Sequence, residues 1–265
     1  QLQPDLEEDF LLNEGAPSTP PIWASGTQPT PPEGFDYDFI NADVLLNRMT
    51  VNAEGRLALP DGLSYRVLVL PETDRMRPEL LKKIGELVRG GAIVVGRRPL
   101  RSPSLAGYPR ADAEVHALAE EIWGDLDGAS RTIRRVGKGA VYWGWPLERV
   151  MAQEKITKDF EYSRGLGNEL AWLHRRTAEA DIYYVANVAD TPFDGSVRLR
   201  AKGGDPRLWH PDTAAIEPLG GAPAGESTDV VLHLAEREAG FVVLRRGVET
   251  SRGWAPPPQE VLAEI

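Results

Sequence analysis

The chain has 265 residues, 42% of them hydrophobic and 26% charged, which is the composition of an ordinary globular protein long enough for two domains. Forty acidic against 30 basic side chains give a net charge of −10, which argues against general affinity for nucleic acid or for an anionic membrane surface. The absence of cysteine excludes disulfides, thiolate metal ligands and cysteine nucleophiles. No apolar run approaches the roughly 20 residues that a membrane-spanning helix needs.

Residues 1–33 are rich in proline, with seven prolines among serine, threonine and glycine residues. Because proline removes backbone donors and fixes an extended geometry, we expect an arm or linker that wraps a neighbouring domain, with Trp23 as its anchor. Residues 247–265 contain three consecutive prolines and are expected to form a C-terminal linker. The chain starts at Gln1 without a signal-peptide core, which indicates a processed chain or a part of a longer one.

Residues 34–167 carry the pattern of an α/β domain. Two apolar runs, at residues 65–71 and 92–96, flank an amphipathic segment at residues 77–89 that is followed by two glycines. Strand, helix, glycine stop and strand in this order predict a βαβ unit. Both strands are apolar on successive residues, which predicts a parallel sheet covered on both faces.

The other elements of this region are predicted from shorter signals. Residues 34–40 alternate aromatic and acidic side chains, which favours a first strand at a sheet edge. Residues 51–63 contain two glycine turns and are expected to form a loop or a small hairpin. Helices are expected at residues 41–49, 112–123 and 146–152, and a β-hairpin at residues 132–143.

Between residues 168 and 246 the pattern changes to short strands separated by turns. Val197, Leu199 and Ala201 alternate with basic side chains, as on a strand with one buried and one solvated face. The same alternation returns at residues 230–234, and the turns occur at the spacing of a β-sandwich. The sequence therefore predicts a small antiparallel β domain.

Six phrases recur in a characteristic order. They are GFDYDFINADVLL at residues 34–46, LPDGLSYRVLVLP at 59–71, SPSL at 102–105, KGAVYWG at 138–144, WLHRR at 172–176 and DIYYVAN at 181–187. In this order they closely resemble phrases of the α-L-rhamnosidases of glycoside hydrolase family 106. The resemblance implies the region C-terminal to the catalytic barrel, with a flavodoxin-like or class I amidotransferase-like α/β domain followed by a β-sandwich. The family's two catalytic glutamates belong to the barrel, and no position of this sequence matches either.

Asp36, Asp38 and Asn41 form, with Asp43, a polar cluster in the predicted α/β domain. Open α/β sheets place ligands at the carboxyl ends of their strands, so one interpretation is a contact with a carbohydrate or a cation. The alternative is a helix N-terminus, with Asn41 as its cap and Asp43 favoured by the helix dipole. Asp36, Asp38 and Asn41 are therefore candidate carbohydrate-binding residues.

Trp143 and Trp145 lie beside Tyr142 at the predicted end of a strand, and we include both as candidate carbohydrate-binding residues. Their rings can stack on a sugar, and the alternative is packing in the core or between domains. Glu72 follows the central strand and is the one acid whose position would suit a site at this edge. No catalytic residue is assigned.

Several other activities lack the residues that they need. A glutaminase needs a thiolate, and a serine version needs a G-x-S-x-G turn; the sequence contains neither. Gly165 and Gly167 begin like a dinucleotide-binding fingerprint, but a third glycine and a preceding strand are missing. The histidines show no metal-binding spacing and are interpreted as surface or satisfied side chains, so we expect neither a metal nor a cofactor. They are His116, His174, His210 and His233.

We therefore expect an accessory, non-catalytic region of an α-L-rhamnosidase-like glycoside hydrolase that acts in structural support or assembly. Its expected partner is the catalytic barrel or a rhamnose-containing glycan, and homo-oligomerisation is left open. Two alternatives are a stand-alone glycoside hydrolase or lyase acting on rhamnose-containing glycans, and a carbohydrate-binding module that uses exposed tryptophans. The compartment is undetermined, and a secreted or periplasmic precursor would fit.

Overall fold

The computed structural model describes residues 32–163, 169–202 and 204–247. Four predictions lie outside these residues. They concern nearly all of the proline-rich arm, its anchor Trp23, the two glycines of the dinucleotide-like phrase and nearly all of the C-terminal linker.

The described part of the chain divides into two compact units. The first holds Tyr37–Ile156, and the second holds Glu33–Asp36 together with the residues from Thr157 onward. The domain boundary predicted between residues 167 and 168 falls outside the described residues. No helix within the described ranges is long and apolar enough to cross a membrane.

The first unit mixes helices and strands. In chain order its elements are α1 (Ala42–Asn47), β1 (Thr50–Val51), β2 (Leu57–Ala58), β3 (Ser64–Tyr65), β4 (Val67–Val69), α2 (Pro78–Gly90), β5 (Ile93–Val95), α3 (Arg110–Trp123), β6 (Ile133–Val136), β7 (Gly139–Tyr142) and α4 (Leu147–Gln153). The predicted helices and the predicted hairpin are confirmed, with ends that shift by one or two residues.

A four-stranded sheet with the order β4-β5-β7-β6 is the centre of this unit. β4 pairs with β5 and β5 pairs with β7 in parallel, whereas β6 and β7 form an antiparallel hairpin. The βαβ unit made by β4, α2 and β5 is therefore confirmed. β1, β2 and β3 form a separate small antiparallel sheet in the region predicted to be a loop or hairpin.

Helix α2 begins and ends where the sequence indicates. Pro78 occupies its first position, and Gly91, with a φ of 133°, follows its last turn and lets the chain turn into β5. The buried side chains of α2 lie on one face and join the main core of the unit, which also includes side chains of α3. They are Leu80, Leu81, Ile84, Leu87 and Val88.

The strand predicted at residues 34–40 does not form. Only Ile40 makes a β-bridge, and the rest of the segment is turn or irregular. The side chains from Asp36 to Phe39 are exposed on four successive residues. Because neither face of the segment is buried, a strand would gain no packing there.

The second unit is built from strands. In chain order they are β8 (Phe160–Tyr162), β9 (Leu170–Arg176), β10 (Ala180–Asn187), β11 (Phe193–Leu199), β12 (Gly204–Trp209), β13 (Ile216–Pro218), β14 (Gly221–Ala224), β15 (Ser227–Leu234) and β16 (Ala239–Arg245).

These strands form two antiparallel sheets, one with the order β13-β12-β16-β10-β9 and the other with the order β14-β15-β11-β8. Tyr183 and Val242 from the first sheet share one buried core with Val197 and Val230 from the second. The predicted antiparallel β domain is therefore confirmed. Strand β8, which the sequence analysis had assigned to the α/β domain, is the edge strand of the second sheet and pairs with β11.

Candidate carbohydrate-binding cleft and buried charge network

The structure separates the predicted polar cluster into residues with different roles. The side chain of Asn41 accepts a hydrogen bond from the backbone N–H of Val44 at 2.9 Å and caps α1. The hydroxyl of Tyr65 donates to Asp38 at 2.8 Å. Asp36 is exposed and belongs to the second unit, whereas Asp38 and Asn41 belong to the first. The capping alternative therefore accounts for Asn41.

We expect Asn41→Ala to destabilise the first unit by about 1 kcal/mol, because the backbone N–H of Val44 loses its acceptor. Asn41→Ser is the matched control, since a serine hydroxyl can cap the same N–H. Thermal unfolding followed by circular dichroism measures both. A lowered midpoint for both variants alike would contradict the capping role.

A cleft of about 370 Å³ opens at the carboxyl ends of β4, β5 and β7. This edge of a parallel sheet is where open α/β folds place their ligands. The candidate residues Trp143 and Trp145 both line the cleft, and so do Glu72 and Glu148. The structure thus brings two indole rings and two carboxylates together at one edge of the sheet.

Each indole ring has one neighbour that fixes its position. The guanidinium of Arg149 lies 3.7 Å from the centroid of the Trp145 ring, a cation–π contact. Gly128 packs so closely on Trp143 that a Cβ atom there would lie 2.7 Å from Cε2 of the indole. Both tryptophans remain partly exposed. Such rings can stack on a sugar while the carboxylates accept hydrogen bonds from its hydroxyl groups.

A buried tyrosine immediately precedes the cleft residue Trp143 in the chain. Tyr142 is fully buried, and its hydroxyl donates to Glu154, which also pairs with Arg135 at 2.7 Å. Burial raises the pKa of Tyr142, and the neighbouring Glu154 carboxylate raises it further. The phenol therefore stays protonated and donates to Glu154, and its ring centroid lies 5.5 Å from that of Trp145.

The second unit contains a buried charge network that the sequence analysis did not anticipate. Nδ1 of His174 lies 2.9 Å from Asp159, and Nε2 lies 3.0 Å from Asp181. Because each ring nitrogen faces a carboxylate, each has to donate, and the ring is an imidazolium bridging two aspartates. The Tyr183 ring stacks on it at 4.0 Å between centroids and donates its hydroxyl to Asp159 at 2.8 Å.

Three arginines complete the network. Arg200 pairs with Asp159 at 3.0 Å, while Arg176 and Arg246 pair with Asp181 at 2.7 and 3.1 Å. The side chains of Asp159 and Asp181 are only 10% and 2% exposed. Both buried carboxylates therefore have their hydrogen-bond partners within the second unit.

These contacts set the protonation states. Burial alone would raise the pKa of Asp159, but hydrogen bonds from His174 and Arg200 outweigh it and lower that pKa to about 2. Burial alone would lower the pKa of His174, but its hydrogen bonds to the two aspartates outweigh burial and raise the pKa. The pKa of Asp181 is lowered for the same reason, against burial, by His174, Arg246 and Arg176. Both aspartates are therefore ionised near neutral pH, and His174 keeps its proton to a higher pH than a free imidazole does.

The stability of the second unit is expected to be greatest between about pH 4 and pH 6.5. The folded pKa of His174 is raised, so its contribution is complete below about pH 6.5 and is lost as the pH rises through the folded value. The folded pKa of Asp159 is about 2, so its contribution is complete above about pH 4 and is lost as the pH falls toward 2. Urea unfolding of the wild type and of His174→Asn, both within this range and on either side of it, measures the effect. A difference between the two that stays constant above pH 6.5 would contradict it.

His116 and His233 are at the surface as predicted, whereas His210 is not fully satisfied, because its Nε2 is buried without a hydrogen-bond partner in the described part of the chain. His116 is exposed on α3, and His233 is exposed beside Asp194. His210 lies 3.2 Å from Glu238. Among the residues that the structure describes, no group of three or more acidic or histidine side chains is placed to hold a metal ion.

Comparison with known proteins relates both the sequence and the fold of this chain to one protein family. The family model for α-L-rhamnosidases of glycoside hydrolase family 106 matches residues 6–221. The chain belongs to this family. A curated relative, a putative beta-glucuronidase of Formosa agariphila, is 33% identical to this family member over 214 residues, which are 80% of this chain and 17% of that protein.

A solved structure gives the same relationship. The rhamnosidase of Novosphingobium sp. PP1Y is 31% identical and superimposes with a TM-score of 0.74 over 89% of this chain and 21% of that chain. This α-L-rhamnosidase-family chain therefore spans about a fifth of the length of the relatives that it matches.

Proposed function

We propose that this α-L-rhamnosidase-family chain is an accessory, non-catalytic region that supports a larger glycoside hydrolase. The proposal rests on the buried carboxylates, which are already bonded to other side chains of the second unit. Glycoside hydrolysis needs two carboxyl groups that face the substrate, one of them with a raised pKa. Asp159 and Asp181 instead have lowered pKa values and are bonded to His174 and arginines inside the second unit.

The acids that do reach a cleft have a different setting. Glu72 and Glu148 are exposed at the cleft of the first unit, where Trp143 and Trp145 accompany them. Exposed carboxylates are solvated, and a general acid in a glycosidase requires an environment that disfavours its ionised form. The geometry of this cleft therefore favours binding over catalysis. Two strand pairs of the central sheet, β4 with β5 and β5 with β7, are parallel. These pairs support the finer proposal that the first unit is amidotransferase-like, which is a variant of the flavodoxin-like arrangement.

The supporting role can be tested in the solved Novosphingobium rhamnosidase, because its corresponding segment is similar to this chain. Deleting that segment is expected to lower the thermal midpoint and the soluble yield of the enzyme, and replacing it with this chain is expected to restore part of both. A deletion that leaves stability and rhamnoside hydrolysis unchanged would contradict the proposal.

A second candidate function is carbohydrate binding at the cleft, supported by the two indoles and two carboxylates around it. We expect a rhamnose-containing oligosaccharide to change tryptophan fluorescence, and we expect Trp143→Ala to weaken binding by about tenfold through loss of ring stacking. Trp172→Phe is the control and should leave this binding unchanged, because Trp172 lies in the other unit, stacks on Phe160 and keeps an aromatic ring in this variant. Equal binding by wild type and Trp143→Ala would exclude the cleft.

A further inference from the structure

The outer face of the five-stranded sheet in the second unit carries a row of aromatic side chains. Trp209 on β12 is opposite Phe241 on β16, which is opposite Tyr184 on β10. Trp209 is 38% exposed and Tyr184 is 37% exposed, so the row faces solvent. Neighbouring strands lie about 4.8 Å apart, so the three rings form a platform about 10 Å wide.

Arg245 lies on the same face, four residues along β16 from Phe241. The positions opposite it are Ala180 on β10 and Gly204 on β12, so neither directly opposite position carries a bulky side chain. Along a strand, four residues cover about 13 Å. The cation therefore lies at one end of the face and the aromatic row at the other.

A groove of about 840 Å³ joins these two features. It is lined by Ile182, Phe241, Val243 and Trp209, and by the turn at residues 177–179 with Arg245 and Arg246. A concave site of this size, mostly apolar with a few charged groups, is typical of a small-molecule site.

The two neighbouring arginines at the end of the groove differ in their partners. Arg246 is bonded to Asp181 of the buried network. Arg245 is exposed, and its guanidinium makes no ion pair or hydrogen bond with any residue in the described part of the chain. Glu179 is the acid that lines the groove, and Asp205 on β12 is paired with Arg207 at 2.8 Å. In a chain of net charge −10, an open cation that shares a groove with aromatic side chains is a specific feature.

We propose that this groove binds a short oligosaccharide that carries an anionic substituent, a carboxylate or a sulfate ester. The sugar rings stack on Trp209 and Phe241, and the anionic group pairs with Arg245. Guanidinium groups bind planar or tetrahedral oxyanions through charge-assisted, often bidentate hydrogen bonds, whereas the faces of sugar rings pack on aromatic rings. The Glu179 carboxylate is placed to accept a sugar hydroxyl.

Binding can be measured with the full chain by isothermal calorimetry and by NMR. Three probes separate the possibilities, namely trigalacturonate, its methyl ester and a sulfated galactose disaccharide. We expect trigalacturonate or the sulfated disaccharide to bind at least about tenfold more tightly than the neutral methyl ester, with a difference that shrinks as salt is added. The tighter of the two anionic probes identifies the source of the charge.

Variants assign the binding to the groove. Arg245→Gln should lower the affinity for the anionic probe to that of the ester, whereas Trp209→Ala should weaken anionic and neutral probes by the same factor. Arg237→Gln is the matched control, because Arg237 is an exposed arginine of the same unit that pairs with Asp190. All three positions are at the surface, so folded variants are expected, and circular dichroism verifies this.

Three results would overturn the proposal. The first is the absence of binding of both anionic probes at millimolar concentration, and the second is binding that Arg245→Gln and Trp209→Ala leave unchanged. The third is a dimer in solution that Trp209→Ala dissociates, since the face would then be occupied by a second copy. None of these results bears on the accessory role, which concerns the larger hydrolase.

Discussion

Replacing His174 by alanine is expected to lower the free energy of unfolding of the second unit by about 3 kcal/mol at pH 6. The imidazolium lies between Asp159 and Asp181. Its removal takes away the cationic partner that the two buried carboxylates share. Breaking a buried ion pair by removing one partner leaves an uncompensated buried charge, which is the reason for the large effect. The arginines that remain on both aspartates keep the loss at the lower end of the usual range. Urea unfolding followed by far-ultraviolet circular dichroism measures it.

His233→Ala is the matched control for this change. His233 also faces an aspartate, Asp194, at 3.0 Å, but its side chain is 68% exposed. Exposed ion pairs contribute little, so the control should change the free energy by less than about 0.5 kcal/mol. Equal effects of His174→Ala and His233→Ala would show that the buried network does not stabilise the sandwich.

Trp123→Ala is expected to destabilise the first unit by about 4 kcal/mol, the other large effect in the molecule. Trp123 ends helix α3, is fully buried, and donates its indole N–H to the carbonyl of Gly96 at 3.0 Å. Alanine leaves a large cavity and an unsatisfied carbonyl at the carboxyl end of β5. Gly96 also lines the cleft, so this variant should disturb ligand binding there as well.

His116→Ala controls for a general effect on the same helix, because His116 is exposed on α3 and should be replaceable at almost no change in stability. Thermal unfolding followed by near-ultraviolet circular dichroism reports the packing around the indole. A loss for Trp123→Ala of less than about 1 kcal/mol would mean that α3 is not held to the sheet by this residue.

The regular elements of the first unit were predictable because their signals are local. The buried residues of α2 recur with the helical period, and Pro78 and Gly91 mark its ends. The apolar runs around Leu68 and Val94 are short, β-branched and bounded by turn residues. The alternating segment at residues 34–40 failed as a strand because alternation only indicates a strand where one face has a partner to pack on.

The cleft was partly predictable. Trp143 and Trp145 follow a strand directly, so their place at the sheet edge followed from the parallel sheet. The contact of Arg149 with Trp145 was missed, although their spacing of four residues across the start of α4 is the kind that brings side chains together. Glu148 was missed because exposed glutamates are common and carry no positional signal.

The charge network could not be predicted, because it depends on strand pairing over long distances in the sequence. Asp159 and Arg200 lie opposite each other at one end of the pairing between β8 and β11, and His174 meets Asp181 only through the register of β9 with β10. The sequence offers one signal for this network, namely polar residues at the inward-facing positions of predicted strands. His174 and Tyr183 are such a pair, directly opposite in the register.

The most direct test of the accessory role is hydrolysis of nitrophenyl glycosides by the purified chain, with the α-L-rhamnoside included and Glu72→Gln and Glu148→Gln as comparison variants. We predict no turnover by the wild type while urea unfolding shows that both units are cooperatively folded. Turnover that one of these substitutions abolishes would show that the cleft is a catalytic site, and it would contradict the account given for this chain.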